Sequence, residues 1–258
     1  MKEKIREILS ENGIYEWAVC DFLAVADHLI SCRAKLRLPE NSKSIIIAAF
    51  PYKVNEAPPK NISRYAAVPD YHEVCGEMLK AARERLKENF PTAAFECFLD
   101  NSPIPEVSAA VNAGLGAMGK NGLLIHKKYG SYVFLGEIVT DLPLEADKGG
   151  EGCLDCGQCA AACRYIGCKT ECLSAVNQQK SGLTAEQTAE IRASGVCWGC
   201  DRCSEVCPMN KTAEPTYIKK FIEGYRDSFS PTEDREGRAY NWRGSEVIDR
   251  NYKIINSK

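Results

Sequence analysis

Two segments, CLDCGQCAAACR (153–164) and CWGCDRCSEVCP (197–208), decide how this chain is read, and GCKTEC (167–172) between them brings the cysteines from 153 to 207 to ten. Three cysteines at C-x2-C-x2-C spacing wrap three irons of one cubane, because the loop between them folds tightly around it. A fourth at x3 stands a helical turn further on and reaches a second cluster. The unit occurs twice, as Cys153, Cys156, Cys159 with Cys163, and as Cys197, Cys200, Cys203 with Cys207. A zinc knuckle needs only four thiolates around one ion. Ten cysteines at this spacing predict two [4Fe–4S] clusters. Spacing alone distributes them symmetrically: Cys153, Cys156, Cys159 and Cys207 on one cluster, and Cys197, Cys200, Cys203 and Cys163 on the other. Arg164 stands where Cys-Pro is usual. It leaves Cys163 free to ligate and either sets a cation near a cluster, raising its potential, or faces solvent.

Outward from the cysteines the chain is ordinary. Its 258 residues, 45% hydrophobic and 26% charged, suffice for one substantial core or two domains. A net charge of -2 gives no global basic field of the kind that advertises nucleic-acid binding. MKEKIREILSENG at the start is an amphipathic helix, with Ile5, Ile8 and Leu9 on one face and Gly13 as a stop. It is not a signal peptide, and no apolar run reaches the roughly 18 residues of a membrane span. The expected location is the cytoplasm, away from any membrane, where clustered cysteines stay reduced and bind metal.

Before residue 153 only Cys20, Cys32, Cys75 and Cys97 occur, scattered as small buried hydrophobes. Residues 15–22, 44–52, 94–100, 122–126 and 131–140 read as strands, and 71–90 as a long helix stopping at Pro91. Lys127–Gly130 reads as a hairpin connection, so the sheet is not wholly parallel. The expected fold is α+β: an α/β-type domain with a mixed sheet over 1–148, then a bacterial-ferredoxin-like two-cluster domain over 149–215. LEADKGGEG (144–152) is the linker, residues 184–195 form a helix between the two cysteine groups, and 216–258 form a tail packing across both domains.

Three motifs in the first part are decoys. GLGAMG (114–119) matches G-x-G-x-x-G, and GLGAMGKN (114–121) falls one residue short of a phosphate-binding loop. Both need a strand before the glycines and a helix after them. Here helical PEVSAAVNA precedes and the strand GLLIH follows. DYHEVCG (70–76) lacks the glycine at 75 that a cobalamin-ligating D-x-H-x-x-G requires, so His72 reads as a structural histidine at a helix start.

DNSPIPEVSAAVNAGLGAMGKNGLLIHKKYGSYVFLGEIVTDLPL (100–144) closely resembles the core of the epoxyqueuosine reductases, with an aspartate, a proline, a glutamate, AGLG, GKN, a strand, then GS-aromatic-x-FLGE-x-x-TD. RYAAVPDYH (64–72), LPENSKSIIIAAFPY (38–52), ECLSAV (171–176), WGCDRCSEVCPMN (198–210) and WRGSEVIDRN (242–251) are similar to further stretches of that family, so the resemblance spans roughly 38–251. It implies a cobalamin-binding α/β domain fused to a two-cluster ferredoxin-like domain. The reaction it implies is removal of the epoxide oxygen of epoxyqueuosine at the tRNA wobble position, giving queuosine and water. Clusters loaded by a cytoplasmic donor such as flavodoxin or ferredoxin would drive cobalt to a low-valent state, and the protein would supply a proton to the departing oxygen.

By the resemblance Asp100 is that proton donor. The local reading differs: Asp100–Pro103 also looks like a helix start with Ser102 as N-cap and Pro103 at the first helical position. The resemblance further implies that Arg64, Asp100, Lys120, Asn121, Leu124 and Leu135 line the corrin site, with Ser174, Cys200 and Asp201 facing it from the cysteine side. It also replaces one ligand, because the family's cysteine lies in ECLS and an apolar residue stands at the position of Cys197. Cluster one is then Cys153, Cys156, Cys159 and Cys207, and cluster two Cys163, Cys172, Cys200 and Cys203, with Cys168 and Cys197 free.

The chain departs from the family at Val68-Pro69 and Ala117-Met118, and ends where full-length members continue into a helical-repeat domain that grips tRNA. An anticodon loop would be met by basic residues such as Lys127 and Lys128. The rival readings are a cobalamin-dependent reductase of a small molecule and a ferredoxin-like electron carrier without a substrate of its own.

Overall fold

The structure, a computed structural model, describes residues 1–149, 152–168 and 170–257, so part of the expected linker lies outside the described residues. Helix α1 (Lys2–Glu11) buries Ile5, Ile8 and Leu9, and strand β1 (Glu16–Asp21) follows. Strand β2 (Ser44–Pro51) is buried along its whole length. Its alternate residues serve two cores: Ile46, Ala48 and Phe50 pack on one face, Ile45, Ile47 and Ala49 on the other. That double burial is why SIIIAAF reads as a continuous apolar run.

A short helix α2 (Arg64–Ala67) leads into α3 (Tyr71–Asn89), whose N-cap Asp70 accepts a hydrogen bond from the His72 backbone. Val74, Cys75, Leu79, Ala82 and Leu86 form the buried stripe of α3. After β3 (Phe95–Leu99) come α4 (Glu106–Asn112), β4 (Gly116–Met118), β5 (Leu124–His126) and β6 (Val133–Thr140). The main sheet runs β1-β2-β6-β3 with every neighbouring pair antiparallel, and β4-β5 is a separate hairpin.

The sheet therefore corrects the mixed arrangement expected from sequence. β2 and β3, joined through α3, do run in the same direction, but β6 is inserted between them as in a split β-α-β unit. The βα alternation was legible, whereas the late strand that separates the parallel pair was not. The glycine block lies in the β4-β5 hairpin, where a Cβ on Gly116 would stand 2.5 Å from the Ile125 carbonyl. A helix precedes it and a strand follows, so no phosphate-binding loop forms. The start of α4 is also corrected. Ser102 does not cap it: its hydroxyl accepts from the Ile104 amide at 3.0 Å, and the helix begins only at Glu106. The intervening turn holds Asp100 at φ +61°, a left-handed conformation aspartate tolerates better than most residues.

The cysteine region is built from short helices: α5 (Gln158–Ala162), α6 (Leu173–Val176), α7 (Ala185–Ser194) and α8 (Arg202–Glu205). α7 is the best defined, with a Thr184–Gln187 capping box and Gly195 in the left-handed C-cap position. The last segment carries α9 (Lys219–Glu223) and α10 (Ser245–Asn256) and touches both other parts. Arg226 and Arg238 donate to the Ala67 carbonyl, while Asn251 Nδ2 donates to the carbonyls of Asn177 and Cys197 at 2.5 and 2.9 Å. Among the described residues no helix is long and apolar enough to cross a membrane.

Candidate functional site

A cavity of about 500 Å³ opens where the three parts meet, within the size range of small-molecule and cofactor sites. The sheet side supplies Tyr71, His72, Asp100, Glu106, Leu124 and Leu135. The cysteine region supplies Gln178 and Trp198, and the last segment Trp242 and Arg243. Tyr71 is stacked on Phe134, with ring centroids 4.2 Å apart and planes within 10°.

The left-handed turn turns Asp100 toward α3. Its Oδ2 lies 3.4 Å from His72 Nε2, and His72 Nδ1 lies 2.8 Å from Asp70 Oδ1. The two hydrogen bonds, first that to Asp100, push His72 up to about 9, and His72 in turn holds Asp100 below the usual carboxylate range. At neutral pH the turn therefore carries an imidazolium between two carboxylates. Next to it Glu106, at the start of α4, is pushed up to about 7 by burial and then by the charge of Asp100. Glu137, fully buried in the middle of β6, is pushed up by burial.

Of the nine residues that the sequence resemblance assigned to the corrin site, Asp100, Leu124 and Leu135 stand on the cavity wall. Ser174 stands beside Gln178, whose Nε2 donates to the Ser174 carbonyl at 2.8 Å and to Tyr65 Oη at 3.1 Å. The Arg64 amide donates to Asp201 Oδ2 at 2.6 Å, joining the sheet side to the cysteine region, and burial pushes Asp201 up to about 6. Arg64 Nε, Ser63 Oγ and Trp198 Nε1 are buried without a hydrogen-bond partner. Lys120 is turned away to Asp155 at 2.8 Å, close to Cys153 and Cys159. Asn121 lies beside Cys203. Lys128, expected at an RNA contact, is paired with Glu16 at 2.6 Å.

The cysteines divide by what surrounds them. Burial raises Cys203, with Asn121 and Ser204 opposing, and Cys172 and Cys163 lie close enough to add to the rise. Cys200, pushed up to about 11 by burial, also feels Cys172, and Arg202 feels both Cys200 and Cys163. Cys163, Cys172, Cys200 and Cys203 thus share one neighbourhood. Cys197 faces elsewhere: it is fully buried and its thiol donates to the Asn61 carbonyl at 3.0 Å. Cys168 contacts Thr170 and Glu171, whereas Cys156 is exposed and Cys207 is half-buried. Among the described residues no three His, Cys, Asp or Glu side chains meet at a single-ion site. A cubane does not ask for that, since each thiolate caps a different iron and the set surrounds a volume.

Both expected cofactors fit these surroundings. Half-buried thiols are the soft donors an iron–sulfur cluster takes. The cavity offers flat aromatic and aliphatic walls for a macrocycle, with the Trp198 indole N–H unpartnered on one wall.

The comparisons with known proteins bear on the same regions. A family model described as epoxyqueuosine reductase QueG, DUF1730, matches residues 33–101. An epoxyqueuosine reductase from Cyclobacterium marinum is 31% identical over 242 residues, covering 89% of this chain and 76% of that protein. The chain belongs to the epoxyqueuosine reductase family. A relative from Synechocystis sp. is 37% identical over 179 residues, covering 66% of this chain. The chain spans 49% to 62% of the length of the first three curated relatives it matches. A solved epoxyqueuosine reductase, crystallised with an epoxyqueuosine-modified tRNA-Tyr stem loop, superposes with a TM-score of 0.81 at 24% identity, covering 98% of this chain and 80% of that one.

Sequence pattern alone does not mark several residues of the site: on the cavity wall His72 reads as structural, Glu106 only as a letter of a motif, and Trp198 and Trp242 carry no signal, while Glu137, buried behind the wall, is likewise only a motif letter. The signal available for His72 was its place in RYAAVPDYH, two residues after the helix cap that orients it.

Proposed function

We propose that this chain is a reductase that removes the epoxide oxygen of epoxyqueuosine in tRNA, with a cobalamin in the cavity and two [4Fe–4S] clusters in the cysteine region. The observation that carries the proposal is the Asp100–His72 pair on the wall of a cavity closed on its other side by the cysteine region. Membership of the epoxyqueuosine reductase family supports the same reaction, and the stem loop in the related crystal supports a tRNA substrate.

Removing the epoxide oxygen breaks two C–O bonds, forms a C=C bond and releases water, consuming two electrons and two protons. When bound, the cobalamin would supply the low-valent metal for the reductive step, reloaded by one-electron clusters from a donor such as flavodoxin or ferredoxin. The chain's own task is the proton. Asp100 is ionised at neutral pH, so the proton of the pair sits on the His72 imidazolium 3.4 Å away, and it passes through the Asp100 carboxylate to the departing oxygen, leaving His72 neutral.

We assign cluster one to Cys153, Cys156, Cys159 and Cys207, and cluster two to Cys163, Cys172, Cys200 and Cys203. The shared neighbourhood of the second four and the Cys197–Asn61 hydrogen bond support Cys172 over Cys197. Arg64, Asn121, Leu124, Leu135, Ser174 and Asp201 would hold the corrin directly or through Gln178 and Tyr65. Lys120 would join them once released from Asp155.

Anaerobic reconstitution tests the cofactors. Roughly eight irons and one cobalamin should bind per chain, with a cobalt signal unchanged in His72→Ala. A chain that takes up iron but no cobalamin would be an electron carrier instead.

A further inference from the structure

Behind Asp100 two carboxyl groups are packed against each other. Glu137 lies on β6 opposite Ile47 of β2 and Phe98 of β3, on the sheet face that α4 covers. It is fully buried, and neither of its carboxylate oxygens meets an N–H or O–H donor. Glu106, the first residue of α4, faces it, and Glu106 Oε1 is likewise buried and without a donor. The other side of Glu106 lines the cavity beside Asp100.

Two acceptor-only groups cannot satisfy one another, and two buried carboxylate charges in contact repel strongly. The nearby Ser102 hydroxyl opposes the rise of Glu137 but makes no well-formed hydrogen bond to it, and Asp100 adds a further negative charge. The other titratable neighbour is Tyr71 of α3, with His72 beyond it; directly across the sheet stand apolar Ile47 and Phe98, and the Glu96 carboxylate two residues before Phe98 is paired with Arg37 and Arg83. A proton carried by one of the two carboxyls removes the repulsion and supplies the missing donor.

We infer that Glu106 and Glu137 hold one proton between them at neutral pH and are the second proton source of the site, with Glu106 delivering into the cavity and Glu137 as its buried positioning partner. The inference rests on the reductase reading for its purpose: the reaction consumes two protons, and the Asp100–His72 pair supplies one. After delivery the pair is left doubly ionised, which its surroundings oppose, so it recovers a proton from solvent through the open cavity. This arrangement follows the pattern of paired carboxyls whose environment forces them to share.

The proton itself can be measured without cofactor or substrate. Infrared spectra of the chain labelled with 13C-glutamate should show, at pH 7, a protonated-carboxyl C=O band that shifts with the label. The band should vanish in Glu137→Gln and in Glu106→Gln, the second being the change less disturbing to the core. Absence of the band in the wild type, or its survival in both variants, would overturn the inference. In the reconstituted protein Glu106→Gln should lower turnover about tenfold or more, and flatten its dependence on pH through about 7, the value to which Glu106 is raised. An unaltered pH profile in Glu106→Gln would overturn delivery by Glu106. A wild type that shows the band and yet reduces no epoxide would defeat the reductase reading while leaving the shared proton in place.

Discussion

The sheet and the cysteine region hold their shapes by different means. The sheet has two apolar cores, one on each face, with β2 buried throughout and α1, α3 and α4 covering it. Among the described residues the cysteine region has a small core of its own, Leu173, Val176 and Ile191 with Leu183 and Cys200 packed against it, borrows Trp198 and Cys197 into a cluster shared with the last segment, and leaves most of its cysteines partly exposed. Burial of apolar area at roughly 25 cal/mol per Å² stabilises the first strongly and the second hardly at all. A segment of that kind is organised by what it binds, as small metal domains are. The comparison also places the cavity: a well-packed wall presents Asp100, and the weakly packed wall proposed to carry the clusters closes over it.

The most severe test of this contrast is removal of iron. Chelation under oxidising conditions should abolish hydrogen-exchange protection in α5, α6 and α8 while β2 and β6 keep theirs. Equal protection in both regions would break the comparison. The next effect is local to the sheet side. Asp100→Asn should keep cobalamin and both clusters yet lose turnover by a factor of about 10² or more. Near-normal turnover would return Asp100 to a turn-forming role.

A finer cut compares two cysteines of the same region. Cys172→Ser should lose one cluster, seen as about half the iron, whereas Cys197→Ser should keep both, because its thiol is committed to Asn61. The reverse result would restore the symmetric spacing rule. The smallest effect concerns His72. Its folded pKa is raised from 6.5 to about 9, so the stability it contributes is complete below about 6.5 and is lost as pH rises through about 9. The side chain is 43% exposed, so screening holds the effect to under about 1 kcal/mol. A melting temperature that declines across that window in the wild type, and stays level in His72→Ala, is the expected result.

Much of this was legible in the sequence because it depends on local pattern. β2 and α3 declare themselves through an apolar run and a helical stripe, and the hairpin order of GLGAMG already told against a nucleotide. What escaped depends on chain segments far apart. The antiparallel neighbourhood of β2 is set by β6, some ninety residues later. The left-handed turn at Asp100 displaced the N-cap that Ser102 seemed to provide. The Glu106–Glu137 contact joins the start of a helix to the centre of a strand, and neither residue alone signals an unsatisfied carboxyl.

The central claim is that one cavity joins a proton-donating wall to an electron-supplying one for epoxide reduction in RNA. Its most direct test is mass analysis of an epoxyqueuosine-containing anticodon stem loop incubated anaerobically with the reconstituted protein and a reductant. The account predicts loss of one oxygen from the modified nucleoside in the wild type and retention of that oxygen in Asp100→Asn. A fully loaded wild type that leaves the epoxide intact would contradict it.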